Sequence, residues 1–325
     1  MSNDINLISS INFATMQINR HVAAIVLLFG TVGNVLNVLV LSENSLRKIP
    51  CAFYLCWSSV SAVVFLWSGL LTRVLQGYNF NWPNENRPIC KIRLYLLNVS
   101  WAVAIWALVG ASMDRYLCSS HSVAYRRLST SQTAKRYLIG IFIFFALVFL
   151  EILYCFEASV PNVPVACYAQ NLTCRLISDW SNILIDIVFP SICLAIFGVL
   201  TIRNARARFI QPTANSISET TTSTNALVTR NNDRNLTRML LVQVMIVLVL
   251  DLPFGVDRSY ASLTSDVPKS AYRVAIENLS YSIIILLLFF THTTSFYLYT
   301  LTGTLYRAAF KRLGHRFLNQ LQARH

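Results

Sequence analysis

Apolar residues in this chain come in runs too long for a soluble core. The first runs from Val22 to Leu41, 20 residues without a charge. The second runs from Cys51 to Thr72 and stops at Arg73. A third, Leu94 to Met113, is also uncharged and leads directly into Asp114-Arg115-Tyr116. The fourth, Tyr137 to Phe156, holds Glu151, and the fifth, Trp180 to Ile202, holds Asp186 and Pro190. The sixth, Met239 to Val256, holds Asp251 and Pro253, and the seventh, Asn278 to about Thr302, holds no charge. At about 1.5 Å of rise per residue, helices of this length cross a hydrocarbon layer. The pattern predicts an all-α membrane fold, a seven-transmembrane helix bundle over residues 21–302. An N-terminal segment, 1–20, precedes it and a segment 303–325 follows. In that last segment Leu305, Tyr306, Ala309, Phe310, Leu313 and Phe317 recur at helical spacing, with Arg307, Lys311, Arg312 and Arg316 on the other face. This predicts a short amphipathic helix on the inner leaflet. It holds no cysteine, so no palmitoyl site is expected there. The stretch 211–232, rich in Ser, Thr and Asn, reads as a flexible loop.

Composition agrees and adds orientation. Of 325 residues, 55% are hydrophobic and 13% charged, where a soluble domain carries about 25% charged residues. Lipid is the solvent that such a surface requires. The net charge of +13 lies in segments between apolar runs, which excludes a nucleic-acid face and fits positive-inside charge. With the N-terminus outside, the inner segments hold 18 lysines and arginines and the outer ones 9, which predicts N-out, C-in. No basic leader with a cleavage site is seen, so the first span is expected to act as the targeting signal. The sequon Asn171-Leu172-Thr173 then falls outside and is the expected glycosylation site, whereas Asn235-Leu236-Thr237 falls inside. Asn98-Val99-Ser100 and Asn278-Leu279-Ser280 lie in or beside spans. Eight cysteines form no C-x-x-C pair, so no metal or other cofactor is expected.

In this frame the chain resembles a rhodopsin-like (class A) G-protein-coupled receptor over nearly its whole length. Gly33-Asn34 matches that family's first-span pair. Cys90 stands 25 residues before Arg115, the family's spacing between its disulfide cysteine and its Asp-Arg-Tyr arginine. Pro190, Pro253, Tyr299, Tyr306-Arg307 and Phe310 match further positions, and the run Ser295 to Gly303 is most similar to invertebrate neuropeptide receptors of the FMRFamide-receptor type. The chain departs from the pattern as well. Ala62 replaces the second-span aspartate, Ser295-Phe296 the seventh-span Asn-Pro, Asp251 the sixth-span tryptophan and Gly198 the fifth-span tyrosine. Leu97 stands where amine receptors carry an acid. Sodium modulation and a biogenic amine ligand are therefore not expected.

The resemblance implies a multi-pass plasma-membrane receptor, not an enzyme, with an extracellular peptide-like ligand, a heterotrimeric G protein and the bilayer as partners. It implies switch roles for Asp114, Arg115, Tyr116 and Tyr299, and an Arg115–Asp233 contact between spans three and six. Cys90 would pair with Cys167 or Cys174, and spacing leaves the choice open. Cys51, Cys56, Cys118, Cys155 and Cys193 read as small apolar residues. Asp186 and Asp251 are intramembrane acids and candidates for a ligand guanidinium. Asp251 has His292 as a rival partner. Arg73 and Arg258, with Leu97 and Asn98, complete the candidate ligand site. The rival reading is a seven-helix transporter or channel without G-protein coupling, but no inverted repeat supports it. None of the five lysines is mid-membrane, which argues against a retinal Schiff base, and no hydrolase motif is present.

Overall fold

The computed structural model describes residues 2–44, 46–159, 167–210, 222–264 and 267–322, without the side chains of 2–4, 205–210, 222–234, 317, 318, 320 and 321. Seven helical segments are long and apolar enough to cross a membrane: Ile5–Leu41, Pro50–Gly77, Arg87–Ser119, Ser131–Cys155, Leu172–Asn204, Asn235–Leu263 and Ala271–Thr293. They are called spans one to seven. Each begins before the apolar run that marks it, and in four of them a polar residue caps the first turn. Asn86, Thr130, Asn171 and Ser270 cap spans three, four, five and seven, their side chains accepting from Ile89, Thr133, Cys174 and Arg273 backbone N–H groups. Pro50 opens span two, where its missing N–H costs nothing.

Three stretches differ from the sequence expectation. The segment before the first apolar run is helical, Ser2–Gln17, and passes through a π turn, Ile18–Val22, into the rest of span one; it packs on span seven. The polar stretch expected as a loop is helical from Thr222, continuing span six, while 211–221 fall outside the described residues. Once a helix is nucleated in the membrane, extending it needs only one hydrogen bond per residue fixed. The seventh run is broken: span seven ends at Thr293 and Ser295–Thr302 resumes after it. Gly303 then turns the chain into Thr304–Gln322, the expected terminal helix. A Cβ at Gly303 would collide with Met239 of span six, so glycine lets the two spans approach.

Span three is the centre of the bundle, and 72% of its most apolar window is buried. At one end Phe65, Trp101, Phe254 and Phe289 form an apolar cluster; at the other, Leu41, Tyr54, Leu55, Leu108, Met239 and Tyr306 form a second. Phe142, Phe144 and Leu147 of span four, Ile196 and Val199 of span five, and Val249 of span six point outward. That belt is where the apolar excess of the composition resides, facing lipid. Between spans four and five, Phe156–Ala158 (β1) and Cys167–Ala169 (β2) form an antiparallel hairpin with Glu157 opposite Tyr168.

Candidate ligand cavity and the charged end of span three

A cavity of about 950 Å³ opens at the hairpin end of the bundle. Its floor is aromatic. Trp101 of span three stacks on Phe65 at 5.8 Å and meets the edge of Phe254 at 5.4 Å, and Phe65 lies 4.5 Å from Phe289. The rim is polar, with Arg73, Leu97, Asn98 and Arg258 among the lining residues. Asp186 and Asp251 do not line it. They sit 7 residues inward of Asp179 and Arg258, which do, about 10 Å deeper along their helices. Both are buried, at 1% and 2% exposure, within electrostatic reach of one another. Among the described residues Asp186 has no hydrogen-bond partner, and Asp251 has Thr291 of span seven as its polar neighbour. The Asp251–His292 pair does not form, because the His292 ring turns edge-on to Phe65 at 5.0 Å and its Nε2 stays unpaired. Asp186 lies in a π turn, Ile183–Val188, just before Pro190, a local widening that accommodates the proline ring.

The hairpin is fastened to this cavity. Cys90 at the start of span three is bonded to Cys167 in β2, with Cα atoms 5.8 Å apart. Cys174, the other candidate for Cys90, is instead bonded to Cys155, 19 residues earlier. The reading of Cys155 as an apolar filler is thereby corrected: the break after Val148 and the turn into β1 bring it to the first turn of span five. Glu157 in β1 pairs with Arg87 at 2.8 Å and Lys91 at 3.2 Å. Partial desolvation opposes its ionisation, but the bonds from Lys91 and the Ala158 amide, with Arg87 beside it, hold its carboxyl below the ordinary value.

At the opposite end of span three, Asp114 and Arg115 are buried at 3% and 2% exposure. Arg115 bonds Asp114 at 2.7 Å. Ser129, in the connection to span four, donates to the other Asp114 oxygen, and the Cys118 thiol donates to Ser129 at 3.1 Å. Tyr116 packs between Tyr125 and Phe197, with centroids 6.4 and 6.0 Å away. The Asp233 side chain lies outside the described residues. Tyr299 is buried and donates to Gln243 of span six, and its ring meets Tyr306. The sequence gives no warning of the polar seam beside it. Asn37 donates to Ser59 at 3.2 Å and to Ser295 at 2.9 Å, and accepts from Tyr306 at 2.6 Å. Asn34 donates to the His292 carbonyl. Spans one, two and seven and the terminal helix are thus joined with no carboxylate, at the level where Ala62 and Ser295 replace the expected polar pair. Leu305 and Tyr306 pack inward, and Arg312 and Arg316 reach Glu43 at 3.4 and 3.3 Å, tying the terminal helix to the end of span one.

A cavity at one end of a central helix and a buried Asp-Arg pair at the other are what a transmembrane receptor needs. The family model "7 transmembrane receptor (rhodopsin family)" matches residues 33–307. The chain belongs to that family. It is a receptor rather than an enzyme, and a multi-pass protein of the plasma membrane. The transporter alternative is not favoured. Among curated relatives, neuromedin-U receptor 2 of Homo sapiens is 23% identical over 317 residues, covering 91% of this chain and 71% of that protein. Its Rattus norvegicus counterpart is 22% identical over 311 residues, covering 89% and 73%. A neuromedin U receptor homolog of Caenorhabditis elegans is 26% identical over 106 residues, 32% of this chain and 26% of that protein. The relatives carry neuromedin-U names, not the FMRFamide-receptor name suggested by the seventh-span run.

Proposed function

We propose that this receptor binds a peptide-like extracellular ligand in the cavity and answers with a heterotrimeric G protein at the Asp114–Arg115 end. The observation that carries this reading is the placement of span three. Its residues Leu97, Asn98 and Trp101 line the cavity, and its Asp114 and Arg115 form the buried pair. The 18 residues from Leu97 to Arg115 correspond to about 27 Å of rigid helix. A ligand that shifts span three at one end therefore changes the fit at the other, and the two affinities are coupled reciprocally. Arg73, Leu97, Asn98 and Arg258 contact ligand. Asp114, Arg115, Tyr116 and Tyr299 hold the two-state end. Asp186 and Asp251 are too deep for a first contact and belong to the machinery beneath the floor. The hairpin end faces outward and the terminal helix lies on the inner leaflet. The neuromedin-U names of the relatives favour a neuropeptide.

The test is a peptide library applied to cells that express the receptor, read by G-protein activation. At least one peptide should activate the parent. Leu97→Trp, which fills the cavity, should abolish the response at unchanged surface level. A library with no active peptide, or a response indifferent to Leu97→Trp, would overturn the reading.

A further inference from the structure

One corner of the cavity is overloaded with positive charge. The lining includes five basic side chains, Arg73, Arg93, Arg175, Arg258 and Lys269, against three acids, Asp179, Asp257 and Glu277. Two of the acids are already engaged by other cations. Asp179 takes Arg258 at 3.4 Å, Arg175 at 3.6 Å and the Ser262 hydroxyl. Glu277 takes Lys269 at 2.6 Å and Arg273 at 3.0 Å. Asp257 lies among Arg258, Glu277, Asp179 and Lys269. Arg73 and Arg93 have no carboxylate within ion-pair distance among the described residues.

Neutral groups hold these two arginines in place. Arg93 spends one nitrogen on the Ser68 carbonyl and Thr72 hydroxyl, both at 3.2 Å, and another on Asn84 at 2.8 Å, while its buried Nε is unpaired. Arg73 makes a long bond, 3.5 Å to Asn19, has the Tyr281 hydroxyl as a second polar neighbour, and lies 5.1 Å over the Tyr281 ring. Arg258 lies 4.9 Å over the same ring and bonds its hydroxyl at 2.8 Å. Arg73 is in electrostatic reach of both Arg93 and Arg258. Like charges gathered in a partly dry wall repel, and cation–π contacts offset only part of that. A carboxylate entering the corner would relieve the repulsion of both arginines and accept from the N–H groups that the Arg73 guanidinium leaves open. An ammonium or guanidinium would add to it.

We propose that the Arg73–Arg93 corner, with Tyr281 as its post, is a subsite for a carboxylate of the ligand. It rests on the reading of this cavity as the ligand site, and it reverses the expectation of a cationic anchor on Asp186 and Asp251. The carboxylate can be an Asp or Glu side chain or a free peptide C-terminus.

The test uses the full receptor in lipid nanodiscs and two small probes, N-acetyl-glutamate methylamide and the uncharged N-acetyl-glutamine methylamide. The glutamate probe should raise the thermal unfolding midpoint and the glutamine probe should not. In Arg73→Gln and in Arg93→Gln, the concentration needed should rise roughly tenfold to hundredfold. Arg93→Lys, which keeps the charge and loses the fork, should fall between. Arg307→Gln, in the terminal helix at the other end, should match the parent. Equal shifts from both probes, no shift from either, or unchanged dependence in both arginine variants would overturn the subsite. In cells, peptide pools matched as Asp/Glu against Asn/Gln, and as C-terminal acid against amide, show which source supplies the carboxylate. A carboxylate-selective midpoint shift with no active peptide would leave the subsite standing and remove the peptide reading. Active peptides without acid preference would do the reverse.

Discussion

Asn37 and Ser129 show how much a single polar side chain can decide inside a helix bundle. Asn37 meets three hydroxyl groups, those of Ser59, Ser295 and Tyr306, and is fully buried. A buried group that loses its partner costs about 1–3 kcal/mol. Asn37→Ala should therefore lower the thermal midpoint of the purified receptor. Tyr306→Phe, which removes one of the stranded hydroxyls, should make the double variant less unstable than the two single losses predict. A double-mutant cycle showing simple additivity would mean that the Asn37–Tyr306 bond carries nothing. Ser129 acts at the charged end. It donates to the Asp114 oxygen that Arg115 leaves free, so Asp114 is held from both sides. Hydrogen bonds to a charged group contribute about 1.5–3 kcal/mol, enough to bias a two-state element. Ser129→Ala should raise ligand-free G-protein activation several-fold at matched surface level, and Ser129→Thr should not. Equal basal activity in all three would take Ser129 out of the switch.

At the scale of elements, the spans were legible in the sequence and their ends were not. An uncharged run reports where lipid lies, while a helix ends where its backbone finds a cap or a proline. Asn86 and Thr130 therefore set ends that hydropathy places several residues away. The hairpin was hidden for a different reason. Its strands have three residues each, too few for an alternating pattern, and it is two disulfides that hold it. The pairing of Cys155 with Cys174 could not be read from spacing, since it depends on the break after Val148 that carries Cys155 out of line with the rest of span four. The two bonds close loops of unequal size, with sequence separations of 77 and 19. Restricting the unfolded chain to such loops stabilises by roughly 4.5 and 3.3 kcal/mol. The longer loop also ties span three to the cavity rim. Cys90→Ser and Cys167→Ser should each abolish surface expression or ligand response. Cys155→Ser with Cys174→Ser should leave the response in place and lower the thermal midpoint. Disulfide mapping that joins Cys90 to Cys174 would sink this assignment.

The seven-helix bundle as a whole follows from composition and run length, because lipid admits only helices and closed barrels, and uncharged runs of about 20 residues fit the helix. The cavity was half legible. Arg73, Leu97, Asn98 and Arg258 stand near the outer ends of their runs and do line it. Asp186 and Asp251 drew attention as rare intramembrane charges, but depth along a kinked helix decides what meets the ligand, and the cavity is lined by Phe65, Trp101, Phe254 and Phe289 and not by the two acids. Every span holds at least one aromatic residue, so aromatic character alone did not set those four apart. Orientation is a property of the whole molecule, and the two-to-one bias of lysine and arginine predicts it. The structure supplies sites at both ends with which to test it. Asn171 is exposed at the hairpin end, where its Oδ1 caps span five and accepts from Cys174 N–H. A glycan attaches through the side-chain nitrogen, so the cap survives modification. Asn235 lies at the other end, where its Nδ2 donates to Thr304 at 2.6 Å and ties span six to the terminal helix. If the hairpin end is exported, Asn171 is modified during synthesis and Asn235 never meets the transferase. Glycosidase should therefore shift the parent receptor on a gel and leave Asn171→Gln unshifted. Asn235→Gln should keep the full shift. A shift that survives Asn171→Gln and disappears in Asn235→Gln would turn the bundle over, placing the cavity inside the cell and the Asp114–Arg115 end outside.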